Sequence, residues 1–260
     1  MRRWLRRVAM SLGYTLQPSV GDAQLLELIR ALRPRSCPVP LIRIGGGADG
    51  GYLIPDDLAG IEYCFSPGVN YTADFENDLA DRGICSFLAD HSVPSPPLMR
   101  TQFVFDRKHI GARDDESYMT LVSWKQKYLP DYDGQMILQM DIEGGEYEVL
   151  LSTPADLLAD FRIIVLELHD LQRLFDPFAF SIMKACFQKL LSHFYVVHSH
   201  PNNCSGVLAR RGIEIPDVME MTLYSRARGA PGAYRDDFPH PLDVDNCDGR
   251  PPLILPACWH

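Results

Sequence analysis

The 260-residue sequence predicts an α/β protein built on a Rossmann-like, doubly wound, seven-stranded and mostly parallel sheet. Two observations carry that prediction. Short apolar runs rich in β-branched and aromatic residues recur along the chain, with longer helix-like patterns between them, as βαβ units require. Several runs, such as MILQM at 136–140 and IIVLEL at 163–168, are hydrophobic almost without interruption, the mark of strands covered on both faces.

The expected strands are Ile61–Phe65, Ile84–Ala89, Gln102–Phe105, Gln135–Asp141, Arg162–His169, Phe194–His198 and Val218–Tyr224, the last a candidate antiparallel member. Helices are expected at about 72–82, 116–128, 145–152, 177–192 and 205–211. Ahead of them, residues 21–33 read as a helix with Leu25, Leu26, Leu28, Ile29 and Leu32 on its apolar faces, and a loop holding GGGADGG follows at 45–51. Behind the sheet, residues 227–260 are proline-rich and without periodicity, an extended tail wrapped on the domain. The expected organisation is therefore an N-terminal helical segment (1–42), one Rossmann-like domain (43–226) and a C-terminal tail (227–260).

Composition bounds the function. With 46% hydrophobic and 23% charged residues the chain is an ordinary globular protein, and no apolar run reaches the roughly 20 residues of a membrane-spanning helix. The start lacks the long apolar stretch and cleavage site of a signal peptide. A net charge of −9 argues against nucleic acid, which needs a basic surface. That charge is uneven: Arg2, Arg3, Arg6 and Arg7 stand among the first 19 residues with no acid. On a helix, Trp4, Leu5, Val8, Ala9 and Leu12 line one side and the arginines most of the other, which suits peripheral contact of residues 1–13 with an anionic membrane. The alternative is a helix docked on its own domain. The seven cysteines have neither CxxC nor zinc-like spacing, and the expectation is a reducing cytoplasm. The glycine loop at 45–51 is no P-loop, because no Lys-Ser or Lys-Thr follows it, and no GxSxG marks a nucleophile.

In open α/β sheets ligands sit beyond the carboxyl ends of the strands, where strand order reverses. After the first strand comes Ser66-Pro67-Gly68-Val69-Asn70, a turn into a helix in which glycine lets backbone N–H groups approach a ligand. The second strand ends in Asp90-His91, 22 residues beyond Gly68, close to the offset of about 20 at which an acid receives ribose hydroxyls. The fourth ends in Asp141-Ile142-Glu143-Gly144-Gly145-Glu146, where Glu146 and Glu148 suit a helix dipole but Asp141 and Glu143 need a cation, a donor or water.

The strings LQMDIEGGEYEVLL (138–151), FSPGVNYTADFENDLADRG (65–83) and FLADH (87–91) resemble the FkbM-type methyltransferases. So do RIGGGADGGYLIPDDL (43–58), HSHPNN (198–203), PDVMEMTLYSR (216–226) and a Pro-Leu-Asp…Asn ending at 241–246. The resemblance implies a sheet of the class I methyltransferase type and S-adenosylmethionine-dependent O-methylation of a sugar hydroxyl in a glycan, glycolipid or natural product. It implies cofactor contacts at Ser66, Gly68, Val69, Asn70, Asp90, His91 and Asp141, with Asp141 and Glu143 at the reacting end. At strand one the chain departs from the common methyltransferase pattern, since no acid precedes a GxG there.

Strand alternation puts Glu167 on one face with His169, and His198 with His200. His169 is the first candidate for the base that deprotonates the acceptor, and His200 the second. Asp141, Glu167 and His169 also form a candidate set for a divalent metal such as magnesium, manganese or zinc. Asn202 and Asn203 are candidates for binding sugar hydroxyls or for shaping a turn. Two alternatives share the Asp90 logic: a nicotinamide-dependent oxidoreductase, which here would lack both the three-glycine fingerprint and a Tyr-x-x-x-Lys pair, and a non-catalytic nucleotide-binding module.

Overall fold

The structure is a computed structural model that describes residues 2–47 and 49–260. The side chains of Arg2 and Arg3, and Ala48 of the glycine loop, lie outside the described residues. In chain order the elements are α1 (Arg2–Ser11), α2 (Asp22–Ala31), β1 (Leu41–Ile44), β2 (Tyr52–Pro55), β3 (Tyr63–Pro67), α3 (Asp74–Asp81), β4 (Cys85–Ala89), β5 (Phe103–Asp106), β6 (His109–Ile110) and β7 (Tyr118–Met119). There follow α4 (Leu121–Tyr128), β8 (Met136–Met140), α5 (Glu146–Ser152), α6 (Ala155–Ala159), β9 (Phe161–Leu168), α7 (Pro177–His193), β10 (Phe194–Pro201), β11 (Val207–Arg210), β12 (Ile213–Pro216) and β13 (Met219–Ser225).

The central sheet has seven strands in the order β10-β13-β9-β8-β3-β4-β5. All neighbours are parallel except β13, which runs antiparallel between β9 and β10. The chain therefore builds outward from β3 through β4 to β5, returns to β8 on the other side of β3, and continues to β9. Strand order reverses between β3 and β8, and a crevice opens there.

Alternation along the central strands sorts their side chains onto two faces. Phe65, Leu138, Met140 and Leu166 enter a large core with α2, α4, α5, α6 and α7. Cys64, Ile137, Ile163 and Val165 pack instead against α3 and the β1–β2 hairpin. Helices were expected on both faces; one face has a hairpin beside a single helix. Leu41–Ile44 and Tyr52–Pro55 are apolar runs on either side of the glycine segment, so a hairpin signal was present. The glycines permit the tight return: a Cβ on Gly51 would lie 2.3 Å from the Gly46 carbonyl oxygen.

Two other expectations are corrected. Residues 205–211 are not helical; Val207–Arg210 pairs with Ile213–Pro216 in a hairpin. Arg211 and Gly212 both have positive φ, as a two-residue type I′ turn demands, and the exposed strand residues lack the alternation that would have revealed them. The helix expected from 116 starts at Leu121, because Asp115 turns the chain by accepting from the Ser117 and Tyr118 N–H groups and Thr120 caps the Ser123 N–H.

The C-terminal residues bury Leu255 and Trp259 against the domain. The tail is also tied covalently, since Cys204 and Cys247 form a disulfide with Cα atoms 5.3 Å apart, a pairing the cysteine spacing did not reveal. At the other end, Trp4, Leu5 and Met10 of α1, and Leu12 just after it, are exposed. Among the described residues no helix is long and apolar enough to cross a membrane.

Candidate functional site

Two cavities open at the carboxyl ends of β3, β4 and β8, with volumes of about 640 and 220 Å³. Gly68, Asn70, Asp141 and Glu143 line both, so they mark the junction. The larger runs toward Asp90, His109 and Tyr118; the smaller toward Asp49, Tyr52 and Thr72 in and beside the glycine hairpin. The larger is within the size range of small-molecule and cofactor sites.

Gly68 is needed here for a reason other than the one expected. Its N–H donates to the Ala89 carbonyl, at 2.9 Å, so it is not free for a ligand. A Cβ at its φ of +92° would fall 1.5 Å from the Asp141 carbonyl oxygen. The glycine lets the turn after β3 pass against the end of β8, which draws Asn70 and Asp141 to one junction. Val69 is buried and lines the smaller cavity. Ser66 is corrected as a cofactor contact: it is fully buried, and its hydroxyl lies against Glu76 Oε1 and, at 2.7 Å, Gln139 Oε1. Burial lifts the Glu76 carboxyl to about 7 against the Ser66 bond.

Asp90 is buried at the end of β4 beside the larger cavity. Its Oδ2 accepts from the Asn70 N–H (2.8 Å), and its Oδ1 from the Ser92 N–H (2.7 Å) and hydroxyl (2.6 Å). A carboxylate offers about four lone-pair sites, so this arrangement leaves roughly one for a ligand hydroxyl rather than the pair expected. His91 is displaced from its expected contact: its ring packs against His109, centroids 4.8 Å apart and planes tilted by 40°, and His109, not His91, lines the cavity.

The ends of β8 and β9 bring Asp141, Glu143, Glu167 and His169 together. Asp141 continues the Ile137–Gln139 face and Glu167 the Ile163–Val165 face, so parallel pairing sets them on neighbouring strands facing the hairpin. Glu143 stands on the following turn with φ of +57°, an uncommon conformation for a side chain, and Gly144 follows at +101°. His169 Nε2 lies 3.4 Å from Glu143 Oε2, 3.9 Å from Asp141 Oδ1 and 4.0 Å from Glu167 Oε1. Its Nδ1 is 3.2 Å from Glu146 Oε1, which also accepts from the N–H groups of Ile142 (3.0 Å) and Gly144 (3.2 Å). Glu146, attributed above to the helix dipole, is wholly buried and ties the turn to the imidazole.

These carboxylates crowd one another at low polarity. Burial, then Glu167, pushes Asp141 up to about 9; burial, then Asp49, lifts Glu167 to about 7 despite a 2.9 Å bond from the Asn202 amide. Burial of the His169 ring opposes its charge, but Glu146, Asp141 and Glu167 outweigh it and raise the imidazole to about 9.

His200 does not reach this cluster. It faces Glu220 across the β10–β13 pair, and Glu220 faces Glu167 across β13–β9, so the histidine stands two strands away. Its Nδ1 is 3.6 Å from Asp243, which also lies 2.8 Å from His198 Nε2. Against the cost of burial, the two histidines hold the Asp243 carboxyl well below the usual range. The tail also sends the Asn246 amide to Glu220 Oε1 (2.7 Å) and Asp49 Oδ1 (3.0 Å). Asn203 bonds the Cys247 backbone from both sides, and Asn202 bonds Glu167, so neither lines the cavities.

Several lining residues escaped the sequence reading. Asp49 and Tyr52 belong to the hairpin, while Lys108, His109 and Tyr118 sit around the short β6–β7 pair. The first pair lay within a string already singled out; the rest carried no motif.

No family model matches the chain, and no curated protein matches its sequence. Among solved structures it is similar to a chain from a fibrillarin/Nop5p complex, with a TM-score of 0.39 and 14% identity, over 65% of this chain and 74% of that chain.

Proposed function

We propose that this protein is an S-adenosylmethionine-dependent O-methyltransferase whose acceptor is a hydroxyl of a sugar in a glycan, glycolipid or natural product. The observation that carries the reading is the crevice at the strand-order reversal, with Asp90 at one end and the Asp141–Glu143–His169 cluster at its junction with a second, polar cavity. The residues present fit the cofactor. The larger cavity has room for an adenosine-sized group, and Asp90 keeps an acceptor position for a ribose hydroxyl. Glu143 and Asp141 line both cavities, and a cationic group bound beside them would draw the Asp141 carboxyl, raised to about 9, back to its charged form, which suits a sulfonium cofactor. The same charge opposes the pyrophosphate of a nicotinamide dinucleotide, and the first turn of α3 carries Asp74 and Glu76 where a dinucleotide fold would seat that anion.

S-adenosylmethionine supplies a methyl group that leaves sulfur as a carbon–oxygen bond forms to the acceptor, releasing S-adenosylhomocysteine and a proton. The chain's own work is positioning and proton removal. His169 is held by Glu146 at Nδ1, so Nε2 turns toward Asp141 and Glu143, which line both cavities although the ring itself lines neither. With its pKa raised to about 9, the ring takes the acceptor proton only in its neutral fraction. Glu146, at 3.2 Å from Nδ1, steadies the imidazolium that results. The smaller cavity, with Asp49, Thr72, Asp74 and Gln139 in its wall, offers hydrogen-bonding partners to a hydroxyl-rich acceptor. Isothermal titration with S-adenosylhomocysteine tests the reading: saturable binding that weakens in Asp90→Ala supports it, and absence of heat at millimolar ligand sinks it.

The exposed side chains of α1 support a second element of the proposal, peripheral attachment to an anionic lipid surface. Trp4, Leu5 and Met10 of the helix and Leu12 after it are exposed, and Arg6 and Arg7 beside them complement anionic headgroups, whereas the remainder of the protein is acidic.

A further inference from the structure

We propose that the Asp141 and Glu143 carboxylates and His169 Nε2 form a binding site for one divalent cation of the manganese or zinc type. One oxygen from each acid and a ring nitrogen of the histidine lie within 4.8 Å of one another. The separations from Nε2, 3.4 Å to Glu143 and 3.9 Å to Asp141, approach those of a coordination shell. Ligand atoms about 2.0–2.2 Å from a shared metal stand about 3–3.5 Å apart, so small side-chain rotations close the site.

The surroundings of the imidazole support the same assignment. A metal-ligating histidine nearly always gives its second ring N–H to a carboxylate or carbonyl, which fixes the tautomer and aims the free nitrogen at the metal. Glu146 occupies that place at Nδ1, and its own position is set by two backbone N–H groups. Beyond the ligands, Glu167 is 4% exposed, its Oε1 stands 4.0 Å from Nε2, and its Oε2 is buried without a hydrogen-bond partner. Asp141 Oδ1 is likewise buried and, among the described residues, accepts no hydrogen bond. Among the described residues the ion pairs of Asp141, Glu143, Glu146 and Glu167 all run to this one imidazole. Four acids thus converge on one imidazole, an arrangement that a divalent cation would compensate. Two carboxylates with one imidazole are a borderline donor set, which favours manganese or zinc over calcium.

Asp141 and Glu143 line both cavities, so the cation keeps open positions toward a bound molecule. Resting on the methyltransferase reading, the acceptor is then one that presents two neighbouring oxygens, such as a vicinal diol. A bound cation would hold both and lower the pKa of one; Nε2 would then be a ligand and no longer the base it is in the metal-free site, and the acceptor proton would leave to solvent.

The test uses the full chain, stripped with chelator and titrated with manganese(II) chloride. Free aqueous manganese is read by electron paramagnetic resonance, and nitrogen coupling by spin-echo modulation. One equivalent bound, with nitrogen coupling that disappears in His169→Gln, is the expected result. Glu143→Gln, at an exposed side chain that makes no demand on folding, weakens binding at least several-fold. Absence of saturable binding at 1 mM manganese or zinc overturns the site, as does equal affinity in both variants and wild type; binding without nitrogen coupling overturns the histidine ligand. S-adenosylhomocysteine is titrated separately into the metal-free chain. Cofactor binding without metal binding removes this inference alone, and metal binding without cofactor binding removes the methyltransferase reading alone.

Discussion

Removing Glu146 tests whether the turn after β8 and the His169 ring are organised by one buried carboxylate. Its Oε1 gathers three donors, the Ile142 and Gly144 N–H groups and His169 Nδ1, with no solvent exposure. Glu146→Ala leaves all three without their acceptor. Hydrogen bonds to a charged group contribute about 1.5–3 kcal/mol each but are not additive, and water can enter the space vacated, so the expected loss is about 3–5 kcal/mol. For a chain of this size that lowers the melting temperature by roughly 6–20 °C. Glu146→Gln keeps an acceptor oxygen and most of the stability while removing the charge. The His169 pKa, raised to about 9 in the wild type, then falls toward its ordinary value. The sign of the linked stability follows: a raised histidine pKa stabilises the fold fully below the unfolded value of about 6.5, and that contribution is lost as pH rises through about 9. The stability gap between wild type and Glu146→Gln is therefore widest near pH 6 and narrows by pH 9. Denaturant melts across this range and nuclear magnetic resonance titration of the His169 ring measure both. An Ala variant melting within about 2 °C of wild type, or an unmoved His169 pKa in the Gln variant, refutes the reasoning.

The Cys204–Cys247 disulfide closes a loop of 43 residues. Its removal in Cys204→Ser/Cys247→Ser lowers stability by about 2–4 kcal/mol, measured by urea denaturation, and an unchanged midpoint would show that the tail is held by its hydrogen bonds alone. Vesicle sedimentation checks α1: the wild type pellets with phosphatidylglycerol-containing vesicles and not with neutral ones, and Trp4→Glu with Leu5→Glu abolishes this. Wild-type protein that ignores anionic vesicles, or that instead self-associates through α1, ends the lipid reading.

The sequence alone determined the strand inventory of the central sheet, because strands buried on both faces must be apolar throughout, as MILQM and IIVLEL are. It also determined that Asp141, Glu143, Glu167 and His169 stand at strand ends, since these polar residues interrupt or terminate apolar runs. Periodicity could not place the β1–β2 and β11–β12 hairpins, whose short strands each show at most two turns of alternation. Only the tertiary structure decided which strands are neighbours, and with that which polar residues meet. His200 and His169 looked equivalent along the chain, yet β13 inserts between their strands and the tail's Asp243 claims His200. The purposes of Gly68 and Glu146 were equally hidden. One is set by the approach of the Asp141 carbonyl and the other by backbone N–H groups of a turn, and contacts between main-chain atoms leave no pattern in the order of side chains.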